Sequence, residues 1–316
     1  MNILFITSSR IGDAVLSTGL LDHIARTYPE ARVTIVCGPL CVSLFEAYPK
    51  LARIIPLKKQ RWNGHWIALC KEVAWRRWDM IVDLRNSAVS RLVPARQKFI
   101  FGRSIDQSLH KVQQNAAVMG LSDVPAPRLW VTEGQKAAAR AYISEGSPVL
   151  GVGPTANWRA KTWPAERFVE IVRWMTAAGG VMPGARVAVF AAPGEEKDAY
   201  QVLNCVPEGQ RIDMIAKVDP GTAAAALGLC DFYIGNDSGL MHCAAAMGVK
   251  TLGLFGPSWP QLYRPWVDHA AYVATPENFD ELTAYKGYEA RTAPCLMESL
   301  TVEMVQEAIL KTSSRP

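Results

Sequence analysis

Three short segments concentrate groups that can bind anions or move protons. The first, Ser8-Ser9-Arg10-Ile11-Gly12-Asp13, follows an apolar run and opens a helical pattern. A glycine-bearing turn at a helix start leaves backbone N–H groups open and carries partial positive charge, which suits a phosphate or a carboxylate. On spacing alone, Asp13 reads as an acid in a first helical turn, where its charge is favoured by about 0.3–1 kcal/mol. The second segment, Gly235-Asn236-Asp237-Ser238-Gly239-Leu240-Met241-His242, joins a strand pattern to a helix pattern. Its small and polar residues leave amides that a diphosphate can use; Asp237 or Ser238 can also simply cap the helix. A lone histidine on the first turn, as His242 is, usually has a structural role. The third segment, Gly153-Pro154-Thr155-Ala156-Asn157-Trp158-Arg159-Ala160-Lys161-Thr162-Trp163-Pro164, mixes hydroxyl, amide and cationic donors. Pro164 then stands where a helix can begin.

Other chemistries find little support. Residues 151–156 formally fit the GxGxx[G/A] fingerprint, but the helix starts too late and no strand-end acid follows at the fingerprint's spacing. A nicotinamide cofactor is therefore not expected, and no other cofactor or metal ion is called for. The GxxxxGK[ST], HExxH, GxSxG and DxD patterns are absent. The seven cysteines are scattered without a CxxC pair, and they read as reduced core thiols of a cytoplasmic protein. The net charge of +5 favours an anionic substrate or membrane surface over nucleic acid, which is not expected as a partner. The apolar runs at 187–192 and 251–255 fall far short of the roughly 20 residues of a membrane span. Residues 1–7 read as a first strand rather than a signal peptide.

The elements that must position these segments alternate between short β-branched runs and helical stretches, the pattern of a parallel sheet covered on both faces. Strands are expected over 2–7, 32–37, 54–57, 80–84 and 99–101, with helices over 14–27, 40–47 and 66–77. The scheme repeats with strands over 149–152, 186–191, 212–215, 232–234, 251–254 and 271–274. Helices are expected there over 165–178, 195–204, 222–229, 238–247 and 302–311. Composition breaks at 122–128 and 145–148 place the boundary near 147, giving domains 1–147 and 148–316. Two doubly wound α/β halves of this kind face a central cleft at the carboxyl ends of their strands.

Taken together, the segments resemble glycosyltransferase family 9, the ADP-heptose:lipopolysaccharide heptosyltransferases. The resemblance is carried by Asn236-Asp237-Ser238-Gly239-Leu240-Met241-His242-Cys243-Ala244-Ala245-Ala246-Met247-Gly248 and by Leu254-Phe255-Gly256-Pro257. The 8–13 and 161–164 segments and Pro294-Cys295-Leu296-Met297 match as well. The resemblance implies a GT-B fold of two Rossmann-like domains, acceptor-binding first and nucleotide-sugar-binding second, with the last helix packing back on the first. It implies inverting, metal-independent transfer from a nucleotide-diphosphate sugar, ADP-heptose, to an anionic lipopolysaccharide-core acceptor. It assigns Asp13 as general base. Thr155, Lys161, Asp237, Ser238, Gly239 and His242 fall on the donor side, and Ser9, Arg10, Gly12 and Arg61 on the acceptor side. Arg61 belongs to the basic-aromatic stretch Lys58-Lys59-Gln60-Arg61-Trp62-Asn63-Gly64-His65-Trp66. The nearby Trp75-Arg76-Arg77-Trp78 is read either as ordinary packing or as peripheral contact with the inner membrane surface. In one departure, some family members carry a basic residue in the strand corresponding to 187–190, which is wholly apolar here. Lys161 or Arg159 must then supply that charge.

Two other readings use the same scaffold. A nucleotide-sugar epimerase would convert the donor with no acceptor present. A non-catalytic two-lobed binding protein would hold the sugar nucleotide without turnover.

Overall fold

The structure, a computed structural model, describes residues 1–290 and 292–314. The chain divides into two compact units, Met1–Thr132 and Glu133–Pro316.

In the first unit, five strands form one parallel sheet: β1 (Asn2–Ile6), β2 (Arg32–Cys37), β3 (Leu51–Pro56), β4 (Trp78–Asp83) and β5 (Ala95–Ile100). Their order is β3-β2-β1-β4-β5. The inner strands are apolar nearly throughout because helices cover both faces of a parallel sheet; Ile3, Leu4, Phe5 and Ile6 are fully buried. The helices are α1 (Ile11–Leu16), α2 (Thr18–Thr27), α3 (Gly64–Val73), α4 (Ala88–Leu92) and α5 (Lys111–Val118).

The single helix expected over 14–27 is two. The Ser17 hydroxyl donates to the Ala14 carbonyl and the Thr18 hydroxyl to the Val15 carbonyl, each at 2.7 Å. Such back-bonding competes with the helix ladder and breaks it. The stretch at 40–47 is a 3₁₀ turn over Pro39–Leu44 rather than an α-helix. Helix α5 went unforeseen because its start is capped by a histidine: His110 accepts from Val112 N while Gln113 reaches back to His110 N. The proline-bearing 122–128 segment is no loose linker. Arg128 N donates to Thr18 Oγ1 at 3.0 Å, and a Cβ on Gly19 would lie 2.1 Å from the Pro125 carbonyl oxygen.

The second unit has six parallel strands: β6 (Val149–Gly153), β7 (Arg186–Ala191), β8 (Arg211–Ile215), β9 (Phe232–Asn236), β10 (Lys250–Phe255) and β11 (Ala270–Ala274). Their order is β11-β10-β9-β6-β7-β8. The helices are α6 (Glu133–Tyr142), α7 (Ala165–Thr176), α8 (Glu196–Leu203), α9 (Pro220–Leu227), α10 (Gly239–Ala246), α11 (Pro260–Tyr263), α12 (Phe279–Thr283) and α13 (Val302–Ser313). The division of the chain falls before α6, earlier than the expected boundary near 147, because α6 packs on α9 and β8. Within its own unit, α13 lies on α7, β10 and β11. Its Val305 and Ile309 are fully buried in the core around Trp163 and Phe168.

Both sheets share a topological feature that fixes where ligands can sit. In the first, the chain runs outward from β1 through β2 and β3, then returns to lay β4 on the other side of β1. In the second, it runs out through β6, β7 and β8 and returns to lay β9 beside β6. Loops leaving the carboxyl ends of such paired strands diverge and open a crevice. Asp13 follows β1, the 153–164 segment follows β6, and the 235–242 segment ends β9.

Candidate active site

In the second unit the loops after β6 and β9 are tied together. Trp163 N donates to Asn236 Oδ1 at 3.0 Å, and Lys161 Nζ lies 3.2 Å from Asp237 Oδ2. That ion pair is mostly buried, its side chains 16% and 10% exposed. Trp163 anchors the arrangement, with its indole N–H donating to the Leu300 carbonyl at 2.8 Å and its ring edge-on to Phe168. Thr155 is buried and donates to Glu195 Oε2 at 2.6 Å, which also accepts from Ala192 N. Beside Thr155 and Glu195 lies an open depression of about 470 Å³, lined also by Asn157, Arg159, Thr162 and Asp198. A more apolar cavity of about 310 Å³, lined by Pro148, Met182 and Phe232, lies near the strands' amino ends, away from these groups.

Glu195 was missed in sequence. It stands just past β7, a strand-end acid, but 40 residues beyond Thr155 rather than at the fingerprint's spacing. The readable signal was Pro193-Gly194-Glu195 directly after an apolar strand. Arg159, one of two candidates for the missing cation, pairs with Asp198. The largely buried charge beside the 235–242 loop therefore belongs to Lys161.

Ser238 is the N-cap of α10 by backbone position, yet its side chain makes no capping hydrogen bond. Gly239 is the first helical residue, and His242 is buried one turn on. Among the described residues, Trp158 Nε1, Tyr233 Oη, Asn236 Nδ2 and Ser238 Oγ are buried without a hydrogen bond of ordinary geometry. Each such group costs about 1–3 kcal/mol when left unsatisfied; Tyr233 Oη and Ser238 Oγ lie against each other, and the two with no partner at all, Trp158 Nε1 and Asn236 Nδ2, call for a reason. Tyr233 Oη lies beneath two glycines: a Cβ would fall 2.0 Å from it at Gly153 and 2.4 Å at Gly235. Burial pushes the Tyr233 phenol far up, against the opposing pull of Ser238.

In the first unit, Asp13 lies in the first turn of α1 and accepts from Ser8 Oγ at 3.3 Å. It does not cap the helix; Arg10 is the N-cap residue, with no side-chain bond. Burial holds the Lys111 amine below its ordinary value, while the nearby Asp13 carboxylate pulls it back up. Ser9 and Arg10 are exposed and Gly12 half-buried on the same turn. Arg61 is exposed on the turn after β3, and β3 is two strands from β1 in the sheet. Trp62 and Asn63 there have left-handed backbones, φ 55° and 57°. Of the tryptophans in the basic stretches, Trp78 is core, whereas Trp62 and Trp75 are each 92% exposed.

Two doubly wound parallel-sheet units, one with a carboxylate at its switch point and one with a lysine, hydroxyls and helix amides at its own, define an α/β protein of the GT-B class. The model of glycosyltransferase family 9 (heptosyltransferase) matches residues 104–288, more than half of the chain, and the chain belongs to that family and is a glycosyltransferase. Asp13 lies outside the matched residues. Among its relatives is the lipopolysaccharide heptosyltransferase 2 of Escherichia coli K12, 24% identical over 86% of this chain and 87% of that one. A family 9 glycosyltransferase from Veillonella parvula superposes with a TM-score of 0.78 at 22% identity, covering 99% of this chain and 97% of the other. The E. coli ADP-heptose lipopolysaccharide heptosyltransferase II gives 0.73 at 22% identity, covering 99% and 98%.

Proposed function

We propose that this glycosyltransferase moves heptose from ADP-heptose to a hydroxyl of a lipopolysaccharide-core acceptor, by a single inverting displacement. The observation that carries the reading is the largely buried Lys161–Asp237 pair at the switch point of the second sheet, with the buried Asn236 Nδ2 next in sequence left without a partner among the described residues. A diphosphate presents acceptor oxygens to such groups. As the glycosidic bond breaks, negative charge grows on the departing diphosphate; Lys161 and the amides at the start of α10 are placed to stabilise it. Asp13 takes the proton of the attacking hydroxyl, a contribution of about 10²–10⁴ in rate. The donor and acceptor classes are those named for the similar E. coli proteins.

In this reading Arg61 and the Ser9–Arg10 turn bind acceptor anions by charge-assisted hydrogen bonds. Between Lys58 and Arg77, six exposed lysines and arginines accompany the exposed Trp62, Ile67 and Trp75. Exposed basic and aromatic residues of this kind suit an anionic membrane surface, where a lipid-linked acceptor resides. Among the described residues no helix is long and apolar enough to cross a membrane.

The test is an assay with ADP-heptose and core acceptor, read by the mass and anomeric configuration of the product. Asp13→Asn should fold and bind donor but transfer at least about a hundredfold more slowly. Interconversion of the donor sugar without acceptor would instead support an epimerase. Near-normal turnover of Asp13→Asn would remove Asp13 from the role of base.

A further inference from the structure

The carboxylate of Asp13 is held by a relay that begins on another strand. Ser8 Oγ lies 3.3 Å from Asp13 Oδ2, 3.2 Å from Arg10 N and 3.2 Å from Arg85 Nη1. An amide and a guanidinium can only donate. Both therefore occupy lone pairs of the Ser8 oxygen, and its one hydrogen is left for Asp13. Ser8 is only 7% exposed, which limits competition from water.

The sheet creates this meeting. Strands β1 and β4 pair with Ile6 beside Asp83, so Ser8 and Arg85, each two residues further on, emerge together. The turn that presents Arg85 is itself pinned. Asp83 is fully buried and accepts from Arg85 N, Ser87 N and Ser87 Oγ at 2.8, 2.8 and 2.6 Å. Asn86 between them takes a left-handed backbone, φ 51°.

We propose that Ser8 is a positioning residue for Asp13, oriented in turn by Arg85. Its hydrogen bond fixes Oδ2 and leaves Oδ1 to receive the acceptor proton. The inference rests on Asp13 as base, and the experiment separates the two. Initial rates are measured for wild type, Ser8→Ala, Ser8→Thr, Arg85→Met, Asp13→Asn and the Ser8→Ala/Asp13→Asn double variant. Ser8→Ala should lower kcat about tenfold with little change in donor KM, as for loss of a hydrogen bond to a charged group. Ser8→Thr, which keeps the hydroxyl, should recover most of that loss. Arg85→Met should lower kcat less, since Arg10 N still holds one lone pair. On the Asp13→Asn background, Ser8→Ala should cost nothing further, because two residues acting through one carboxylate are non-additive. Wild-type kcat in Ser8→Ala overturns the proposal, as does an equal loss on both backgrounds, which marks a merely structural role. Normal turnover in Asp13→Asn instead overturns the base reading itself.

Discussion

Lys161 Nζ sits 3.2 Å from Asp237 Oδ2, although 76 residues separate them along the chain. The pair joins the loop after β6 to the loop after β9, and it brings the one largely buried cation of the 153–164 segment to the start of α10. Lys161→Met should weaken ADP binding by about 10–100-fold, the range for losing a hydrogen bond from a charged group. Adenosine, which lacks the diphosphate, should bind both forms alike. Calorimetric titration of the two ligands checks this, and equal losses for both would place Lys161 away from the phosphates.

Glu195 presents a strand-end carboxylate beside Thr155, a setting suited to ribose hydroxyls. Glu195→Ala should weaken ADP binding about tenfold or more while changing 2′-deoxy-ADP binding much less. A thermal-shift comparison is sufficient, since a ligand at 100 times its dissociation constant stabilises by about 2.7 kcal/mol. The same screen with UDP and GDP reads out the base preference.

Gly153→Ala puts a methyl group 2.0 Å from the Tyr233 hydroxyl. Overpacking of this kind costs about 1–3 kcal/mol. Adding Tyr233→Phe removes the hydroxyl and leaves the ring carbon Cζ, at 3.0 Å, as the nearest ring atom. The double variant should regain part of the loss in urea unfolding. If it regains none, the strain lies in the backbone of β6 rather than against this ring.

Burial pushes the Cys37 and Cys41 thiols up to about 12 from an ordinary 9.0, with lesser contributions from Cys41 and Asp13 respectively. At pH 8 a disulfide reagent should reach only the half-buried Cys70, Cys205 and Cys295 in the folded chain, and all seven thiols in denaturant. Because the folded state holds these protons more tightly, their contribution to stability is complete below pH 9. It is lost as pH rises toward 12, where the unfolded chain has already released the protons. Melting temperature should therefore fall with alkali, and Cys37→Ala should blunt the fall. A melting curve independent of pH between 9 and 11 would contradict the burial of these thiols.

Much of the architecture is local and was legible in the residues. The strands at 32–37 and 186–191 lie where their β-branched runs stand, because a strand buried on both faces must be apolar along its length. The three glycine-bearing segments sit at strand ends for the same local reason: polar, flexible residues interrupt the apolar pattern where the chain leaves the sheet. Tertiary structure decided which of those ends are neighbours. Strand order set Lys161 against Asp237, Glu195 against Thr155 and Arg85 against Ser8, and it left Trp75 exposed while burying Trp78. A hydrogen bond between residues 40 to 77 positions apart depends on which strands pair and in what register. Periodicity along a single segment carries no record of that pairing.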